Sequence, residues 1–500
     1  MAKSETCLVN LHYQDGSEGS PSNPAKFKNQ DFAQIKADCL RKGELFVDNE
    51  FPPNGLSLGD LPDMSSSQEI KMVCHDLTLD KATWVSKTFL LIANDNDNYV
   101  PHLGRTISFL LLTGNCWFLS AISALTFQEN LMAQVVPMDQ SFENYAGIFH
   151  FRFWRFGKWV DVVIDDNLPT IKKRLLFVSS KCGNEFWAPL LEKAYAKLCG
   201  SYADMYAGFP SEACKDFTGG VNQTYNLKEM NSAGHGDLWL TLNRATRCQS
   251  LICCWTYHEE GALVSDTGLV NGHAYSITGV TKVELNGSKV RLVRVMNPWG
   301  QQEWNGKWSD KSDLWDRVSP EVRKKCFNHD DGEFWMQMED FCSYFAYVSI
   351  CCETPNFLDG DLKCQWNCMI YDGNWVAGKS AGGNVKHSTF ATNPQYRIQV
   401  TVIDKKEPGD KNIVLSLMQK PQEGNHIDIP LYFCQTPKRR LQQDFFQRNS
   451  PVKAEKTYRS ERDHIELHSL EPGEYVIIPS TKEPNITADF ALAVYTKTDE

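Results

Sequence analysis

Several classes of protein are disfavoured by what this 500-residue sequence lacks. Its unbroken apolar runs, such as residues 490–495, are far shorter than the roughly 20 residues of a membrane-spanning helix. Residues 1–5 form no apolar signal segment, so we expect a cytoplasmic protein whose 17 cysteines are reduced thiols. Positive charge is not in excess: the net charge is −11, which argues against a nucleic-acid partner bound through its phosphates.

Repeats, low-complexity tracts and cysteine pairs at metal-ligand spacing are also lacking. Hydrophobic residues make up 42% of the chain and charged residues 23%, as in soluble globular proteins. Five hundred residues exceed the size of one ordinary hydrophobic core, so the length predicts two to four domains.

The most informative part of the sequence is the run of residues 116–125. Its dense apolar residues predict a helix buried on most sides, with Asn115 at the N-cap position. Cys116 at the start of such a helix is a candidate nucleophile, because a helix N-terminus stabilises a thiolate. Later segments supply His273 as a base and Asn297 as an amide that orients it. A Cys, His, Asn order over this span is the arrangement of a papain-like cysteine protease.

Each of these three residues, taken alone, has a purely structural interpretation. A single cysteine on an apolar helix is more often a small buried hydrophobe than a nucleophile. His273 in a strand-like stretch fits a hydrogen-bonded structural histidine, and Asn297 before Pro298 fits an ordinary turn. The residues around them decide between the two interpretations.

Those flanking residues resemble the calpains, the calcium-dependent intracellular cysteine proteases. The similarity runs from about Lys26 to near Lys497. The matching stretches are residues 184–187, 191–197, 216–220, 272–275, 297–300, 308–310 and 331–336, with 381–383 and 472–476 resembling the family's third domain.

The resemblance implies an α+β fold: a two-lobed papain-like protease core, with a helical lobe and a β-rich lobe, followed by a C2-like β-sandwich. We place a flexible tail at residues 1–25, the Cys116 lobe at 26–209, the His273 and Asn297 lobe at 210–348, and the sandwich at 349–500. Local patterns agree with this division. They predict a strand pair over 145–164, a helix over 185–199, and turns in the sandwich at 372–373, 408–409 and 472–473.

By the same resemblance, Cys116 attacks the scissile carbonyl, His273 moves the proton, and Asn297 orients the imidazole. Trp299 shields the bond between His273 and Asn297 from water. The family also holds Ca²⁺ with carboxylates in both lobes, and oxygen ligands suit that ion. The matching residues are Glu185 in the first lobe and Glu303, Asp310, Asp331 and Glu333 in the second.

The sequence departs from the family just before the nucleophile. Leu110 stands where calpains have a glutamine that donates to the oxyanion, and Ile107 stands where they have a calcium-binding aspartate. Losing one oxyanion donor typically lowers the rate by roughly 10²–10³. Three explanations stay open: an alternative exon or mistaken gene model over residues 88–113, lost catalytic efficiency, or a nearby amide that replaces the glutamine.

The function predicted from the sequence is a calcium-dependent cysteine endopeptidase that makes limited cuts in protein substrates. The alternative is a catalytically impaired, calpain-like regulatory or binding protein, because of Leu110. A transglutaminase fits Asn297 and its flanks poorly. The basic cluster at 438–440 predicts at most weak phospholipid contact, and with no EF-hand loop in the sequence, dimerisation with a small subunit is not expected.

Overall fold

A computed structural model of the chain describes residues 9–11, 16–61, 71–74, 107–108, 114–171, 174–180, 185–258, 262–326, 332–358, 365–400, 411–420, 428–429, 431–435, 440–449 and 462–498. Two compact units emerge from these residues. One lies within 16–352, and the other combines strand 9–11 with the chain from 353 onward. The predicted four-part division at 25, 209 and 348 stays a prediction.

The α-helices among the described residues are α1 (Phe32–Lys42), α2 (Gly55–Leu58), α3 (Cys116–Leu125), α4 (Glu129–Val135), α5 (Trp187–Cys199), α6 (Pro210–Thr218), α7 (Ser232–Ala245), α8 (Pro320–Lys325), α9 (Met338–Tyr344) and α10 (Gln443–Arg448). The strands are β1 (Val9–Leu11), β2 (Ala25–Lys26), β3 (Lys71–Cys74), β4 (Ile107–Ser108), β5 (Ile148–Arg155), β6 (Lys158–Asp165), β7 (Asn167–Ile171), β8 (Arg174–Leu175), β9 (Ser179–Ser180), β10 (Val221–Asn226), β11 (Leu251–Thr256), β12 (Ala274–Leu285), β13 (Ser288–Met296), β14 (Glu333–Gln337), β15 (Phe345–Cys352), β16 (Gln365–Trp375), β17 (Tyr396–Val400), β18 (Ile413–Gln419), β19 (Leu431–Gln435), β20 (Asp463–His468), β21 (Gly473–Pro479) and β22 (Ala488–Thr498). Helices and strands are thus mixed, as the α+β prediction requires.

The first unit is organised around a six-stranded sheet with the order β10-β15-β11-β12-β13-β14. Strands β12 and β13 form a long antiparallel hairpin in this sheet. The hairpin turns at Asn286 and Gly287, whose φ angles of 52° and 77° suit an asparagine and a glycine. The predicted strand pair over 145–164 is present as β5 and β6.

Two helices show how the sequence pattern sets the layers of this unit. Helix α3 is buried at every position after Cys116, as its dense apolar sequence predicts. It packs on the six-stranded sheet, where the hydroxyl of Ser123 lies 3.0 Å from that of Ser276 on β12. Helix α5 accepts Pro189 in its first turn and ends at Gly200, which has a positive φ of 123°.

The second unit consists largely of two sheets around a shared core. The larger sheet has the order β1-β16-β22-β18-β20 and the smaller β17-β21-β19. Leu415 and Phe490 from the first sheet and Phe433 and Ile477 from the second belong to one buried apolar cluster. The C2-like topology that the sequence implies stays a prediction. Strand β1, within the segment predicted to be a tail, pairs parallel to β16.

The predicted turn at residues 372–373 is wrong. Asp372 and Gly373 lie inside β16, paired with Ala491 and Phe490 of β22. Glycine occurs here for a packing reason, because a Cβ atom would come within 2.3 Å of the Phe490 ring and 2.4 Å of the Tyr396 hydroxyl. The predicted turn at 408–409 lies outside the described residues.

None of the helices in the described part of the chain is both long and apolar enough to cross a membrane. The cysteines there are free thiols, including Cys214 and Cys253, whose sulfur atoms lie 3.6 Å apart.

Candidate active site

The β12–β13 hairpin brings His273 and Asn297 together. His273 immediately precedes β12 and Asn297 immediately follows β13, so the two residues lie at the same end of the hairpin. His273 Nε2 is 2.9 Å from Asn297 Oδ1. The two residues are 24 positions apart in the sequence, and the single β12–β13 hairpin brings them together.

The amide of Asn297 can be oriented in only one way. Its Nδ2 donates to the carbonyl oxygens of Gln301 and Gln302 at 2.6 and 3.1 Å. Its Oδ1 accepts from the backbone N–H of Trp299 at 3.1 Å, and therefore also faces His273 as an acceptor. The imidazole proton then belongs on Nε2, which leaves Nδ1 as the basic nitrogen.

The histidine–asparagine pair is shielded from water. His273 is 2% exposed and Asn297 is fully buried. The Trp299 ring lies over the imidazole with the ring centroids 4.2 Å apart, where the sequence analysis predicted it. Burial lowers the pKa of His273 to about 4, and the hydrogen bond to Asn297 opposes this shift only in part.

Cys116 is the first residue of α3 and lies near the start of β12, the strand that His273 immediately precedes. Backbone amides of Ala274 and Trp117 form hydrogen bonds that lower the pKa of its thiol, but burial outweighs them and raises that pKa. Because Ala274 is the first residue of β12 and directly follows His273, the thiol lies at the start of that strand. Burial thus favours the uncharged form of both the thiol and the imidazole.

Asn115 occupies the N-cap position of α3, but its side chain does not cap the helix. Instead, its Nδ2 donates to Oε1 of Glu192 on α5 at 2.5 Å. The sequence analysis missed Glu192 as a neighbour of the site. The only available signal was its place in the matching stretch 191–197, which says nothing about what the side chain contacts.

Two of the carboxylates predicted to bind calcium lie in a coil segment after Asn297. Glu303 Oε1 accepts from the backbone N–H of Gly332 at 2.6 Å, so it lies beside the residue that precedes Glu333. The carboxylate oxygens of Asp310 are buried. Asp331 lies outside the described residues.

Glu333 already has protein partners, since its Oε1 accepts from Thr278 Oγ1 at 2.5 Å and pairs with Arg294 Nε at 3.2 Å. Glu185, the predicted ligand of the first lobe, is buried just before α5. In the part of the chain that the structure describes, no three His, Cys, Asp or Glu side chains form a group able to hold a metal ion. The carboxylate oxygens of these residues are suitable ligands for calcium. To bind the ion, Glu333 would have to give up its ion pair with Arg294.

The two departures from the family sequence, Ile107 and Leu110, precede α3 in the chain. Leu110 lies outside the described residues. Ile107 begins the short strand β4, paired with Ser180 of β9, and its side chain is likewise not described.

A thiol at a helix N-terminus, near a hairpin whose open end holds a buried histidine–asparagine pair, is typical of thiol-dependent hydrolases. Profiles of two families match the chain: "Calpain family cysteine protease" over residues 46–352 and "Calpain large subunit, domain III" over residues 371–495. Calpain-8 of Mus musculus is 38% identical to this chain over 506 aligned residues, and the alignment covers 96% of this chain and 69% of calpain-8. Calpain-9 of Homo sapiens is 38% identical, covering 94% of this chain and 67% of that protein. The calpain-2 catalytic subunit of Homo sapiens is 37% identical, covering 96% and 69%. The chain belongs to the calpain family of cysteine proteases.

Proposed function

We propose that the protein is a calcium-dependent cysteine endopeptidase that uses Cys116, His273 and Asn297 as its catalytic triad. The hydrogen bond of 2.9 Å between His273 and Asn297, with the Cys116 thiol at the neighbouring Ala274, is the observation that carries this proposal. Protein substrates follow from the family. Cytoplasmic localisation, the two-lobed core and the C2-like sandwich complete the proposal.

The geometry supports a specific sequence of proton movements. His273 Nδ1 accepts the Cys116 proton as the sulfur attacks the scissile carbonyl carbon, and the imidazolium then protonates the leaving amine. Asn297 holds the ring and accepts from Nε2 throughout. A water molecule, deprotonated by the same imidazole, hydrolyses the thioester and regenerates the thiol.

Because burial disfavours a separate thiolate and imidazolium, we expect the proton to move from Cys116 to His273 during attack rather than before it. Burial favours the uncharged form of both groups. Trp299 keeps water from the His273–Asn297 bond, which strengthens that bond in a lower dielectric.

Calcium is proposed as the ion that brings the two halves of the site into register. Glu303, Asp310, Asp331 and Glu333 would hold one ion in the second lobe, and Glu185 would contribute in the first. When bound, the ion supplies positive charge that fixes the coil segments around these carboxylates.

A calpain-like regulatory or binding protein is the second candidate. Two observations favour it: Leu110 cannot donate to an oxyanion, and burial disfavours the thiolate at Cys116. In this case the cleft binds protein segments without turning them over.

Labelling with a thiol-directed peptide epoxide distinguishes the two candidates. We expect calcium-dependent labelling of the wild-type protein, together with casein cleavage, and loss of both in Cys116→Ser. Cys248→Ser, a partly exposed thiol elsewhere in the same unit, is the control and should retain both. Labelling without cleavage supports the regulatory protein, and the absence of labelling contradicts the peptidase.

A further inference from the structure

A buried carboxyl group that the proposed chemistry does not use is linked to the residue before the nucleophile. Glu192 lies on α5 and is 1% exposed. Its Oε1 accepts from Asn115 Nδ2 at 2.5 Å, and its Oε2 accepts from the backbone N–H of Val178 at 3.0 Å. Both donors are neutral, so neither supplies a charge that would compensate a buried carboxylate.

Asn115 transmits this contact to the helix that carries Cys116. Its backbone carbonyl accepts from Phe118 N at 3.0 Å and Leu119 N at 3.2 Å, which closes the first turn of α3. Its side chain meanwhile points to Glu192 instead of capping that turn. One residue therefore connects the buried carboxyl group to the first turn of the helix that begins with Cys116.

We propose that Glu192 is a positioning residue, which fixes the start of α3 through Asn115, and that gain or loss of its proton changes the reactivity of Cys116. The inference rests on the proposed function in one respect, the assignment of Cys116 as nucleophile.

The two protonation states of Glu192 make different demands on Asn115. An ionised carboxylate accepts the Asn115 Nδ2 proton, as observed. A protonated carboxyl group also carries an O–H that must donate a hydrogen bond. Either the Asn115 amide turns so that its oxygen accepts this bond, or another group accepts it. Burial raises the pKa of Glu192 to about 8, so the change between the two states falls near physiological pH.

The other titratable groups around Glu192 come from neighbouring elements. Tyr202 is buried, and its Oη has no hydrogen-bond partner in the described part of the chain. Burial raises the pKa of Tyr202, and the charges of Glu192 and Asp165 raise it further. Asp165 itself is neutralised by Lys193, 2.5 Å away. Cys116, on α3, is linked to Glu192 through the side chain of its neighbour Asn115. Because Tyr202 Oη makes no hydrogen bond to Glu192 in the described part of the chain, we expect a proton on Glu192 to be accommodated by a turn of the Asn115 amide.

The test measures alkylation of Cys116 by iodoacetamide in the full-length protein, read peptide by peptide with mass spectrometry, between about pH 6 and pH 9. For a thiol whose pKa lies above this range, as expected for Cys116 because burial raises its pKa, the rate rises about tenfold per pH unit as thiolate forms. In a plot of the logarithm of the alkylation rate against pH, we expect the wild type to show a break, a step away from the straight line, near the pKa of Glu192, about 8. Its size should be roughly tenfold, the factor that corresponds to one hydrogen bond of typical net strength.

Glu192→Gln removes the titrating group at matched size and should abolish the break. Glu143→Gln, an exposed glutamate in the same unit, should retain it. Asn115→Ala cuts the link while leaving the buried carboxyl group in place, and it should also abolish the break if Glu192→Gln does not fold.

A wild-type profile without a break, or one that persists in Glu192→Gln or Asn115→Ala, overturns the inference. These outcomes are separate from the proposed function, because alkylation needs no substrate cleavage. A protein that shows the break but cleaves no casein keeps the positioning role and loses the peptidase activity.

Discussion

At the residue scale, Asn297 has the most tightly determined environment in the candidate site. Its amide bonds two backbone carbonyls, one backbone N–H and the imidazole of His273. Removing it leaves a buried imidazole N–H unsatisfied as well as disoriented.

Asn297→Ala should lower kcat/KM for casein by roughly 10²-fold, the lower end of the contribution of a positioned general base. KM should change little, because Asn297 is fully buried and does not face a substrate. Asn305→Ala, an exposed asparagine on the following coil, is the matched control. Equal activity of Asn297→Ala and Asn305→Ala would remove Asn297 from the mechanism.

His273 also predicts how stability depends on pH. Its pKa is about 4 in the folded protein and near 6.5 when exposed. Between these values the unfolded chain binds a proton that the folded chain does not, so the free energy of unfolding falls as the pH drops from 6.5 towards 4. The full effect is about 3 kcal/mol, at roughly 1.4 kcal/mol per pKa unit.

Thermal melts across this pH range measure that effect. We expect the melting temperature of the wild type to fall more steeply towards acid pH than that of His273→Gln. His235→Gln, at the half-buried start of α7, should behave like the wild type. Parallel pH profiles for the wild type and His273→Gln would show that this imidazole already titrates normally in the folded protein.

At the scale of elements, a glycine inside a long strand marks a close approach of side chains rather than a turn. Gly373 pairs directly with Phe490 across β16 and β22, and the Phe490 ring and Tyr396 hydroxyl fill the space of a Cβ atom. The residue therefore belongs to the packing of the second unit.

Gly373→Ala should destabilise the protein by about 1–3 kcal/mol, the usual cost of overpacking a core. Gly55→Ala, at the first residue of α2 with open space around its Cβ position, should have almost no effect. Chemical denaturation followed by tryptophan fluorescence measures both variants. If Gly373→Ala is as stable as Gly55→Ala, the ring must move aside easily and the packing argument fails.

At the scale of the whole molecule, each of the two units has its own core, and the proposed catalytic residues all lie within residues 16–352. The proposed second-lobe calcium ligands belong to the same unit; of those that the structure describes, Glu303 and Asp310 lie on a coil segment and Glu333 at the start of β14. Calcium binding should therefore be measurable as a property of that unit in the full-length protein, apart from any cleavage.

Isothermal titration with CaCl2 should detect binding in the wild type and a weaker affinity in Glu303→Gln, since the carboxylate charge favours the ion. The amide can still accept from Gly332, so its anchoring contact is kept. Glu321→Gln, on the exposed helix α8, should bind calcium like the wild type. Unchanged affinity in Glu303→Gln excludes Glu303 as a ligand.

The sequence by itself determined the family, the buried helix that begins at Cys116, and the strand pair over 145–164, because these depend on local pattern and short spacing. It predicted a turn at Gly373, since glycine commonly occurs in turns, and it placed Asn115 correctly at the N-cap position without indicating that its side chain bonds Glu192 rather than the helix. The tertiary structure alone decided that Glu192 lies against Asn115, 77 residues earlier. Burial on packing, rather than residue type, is what shifts the pKa values of Glu192, His273 and Cys116, and a linear pattern does not encode that burial.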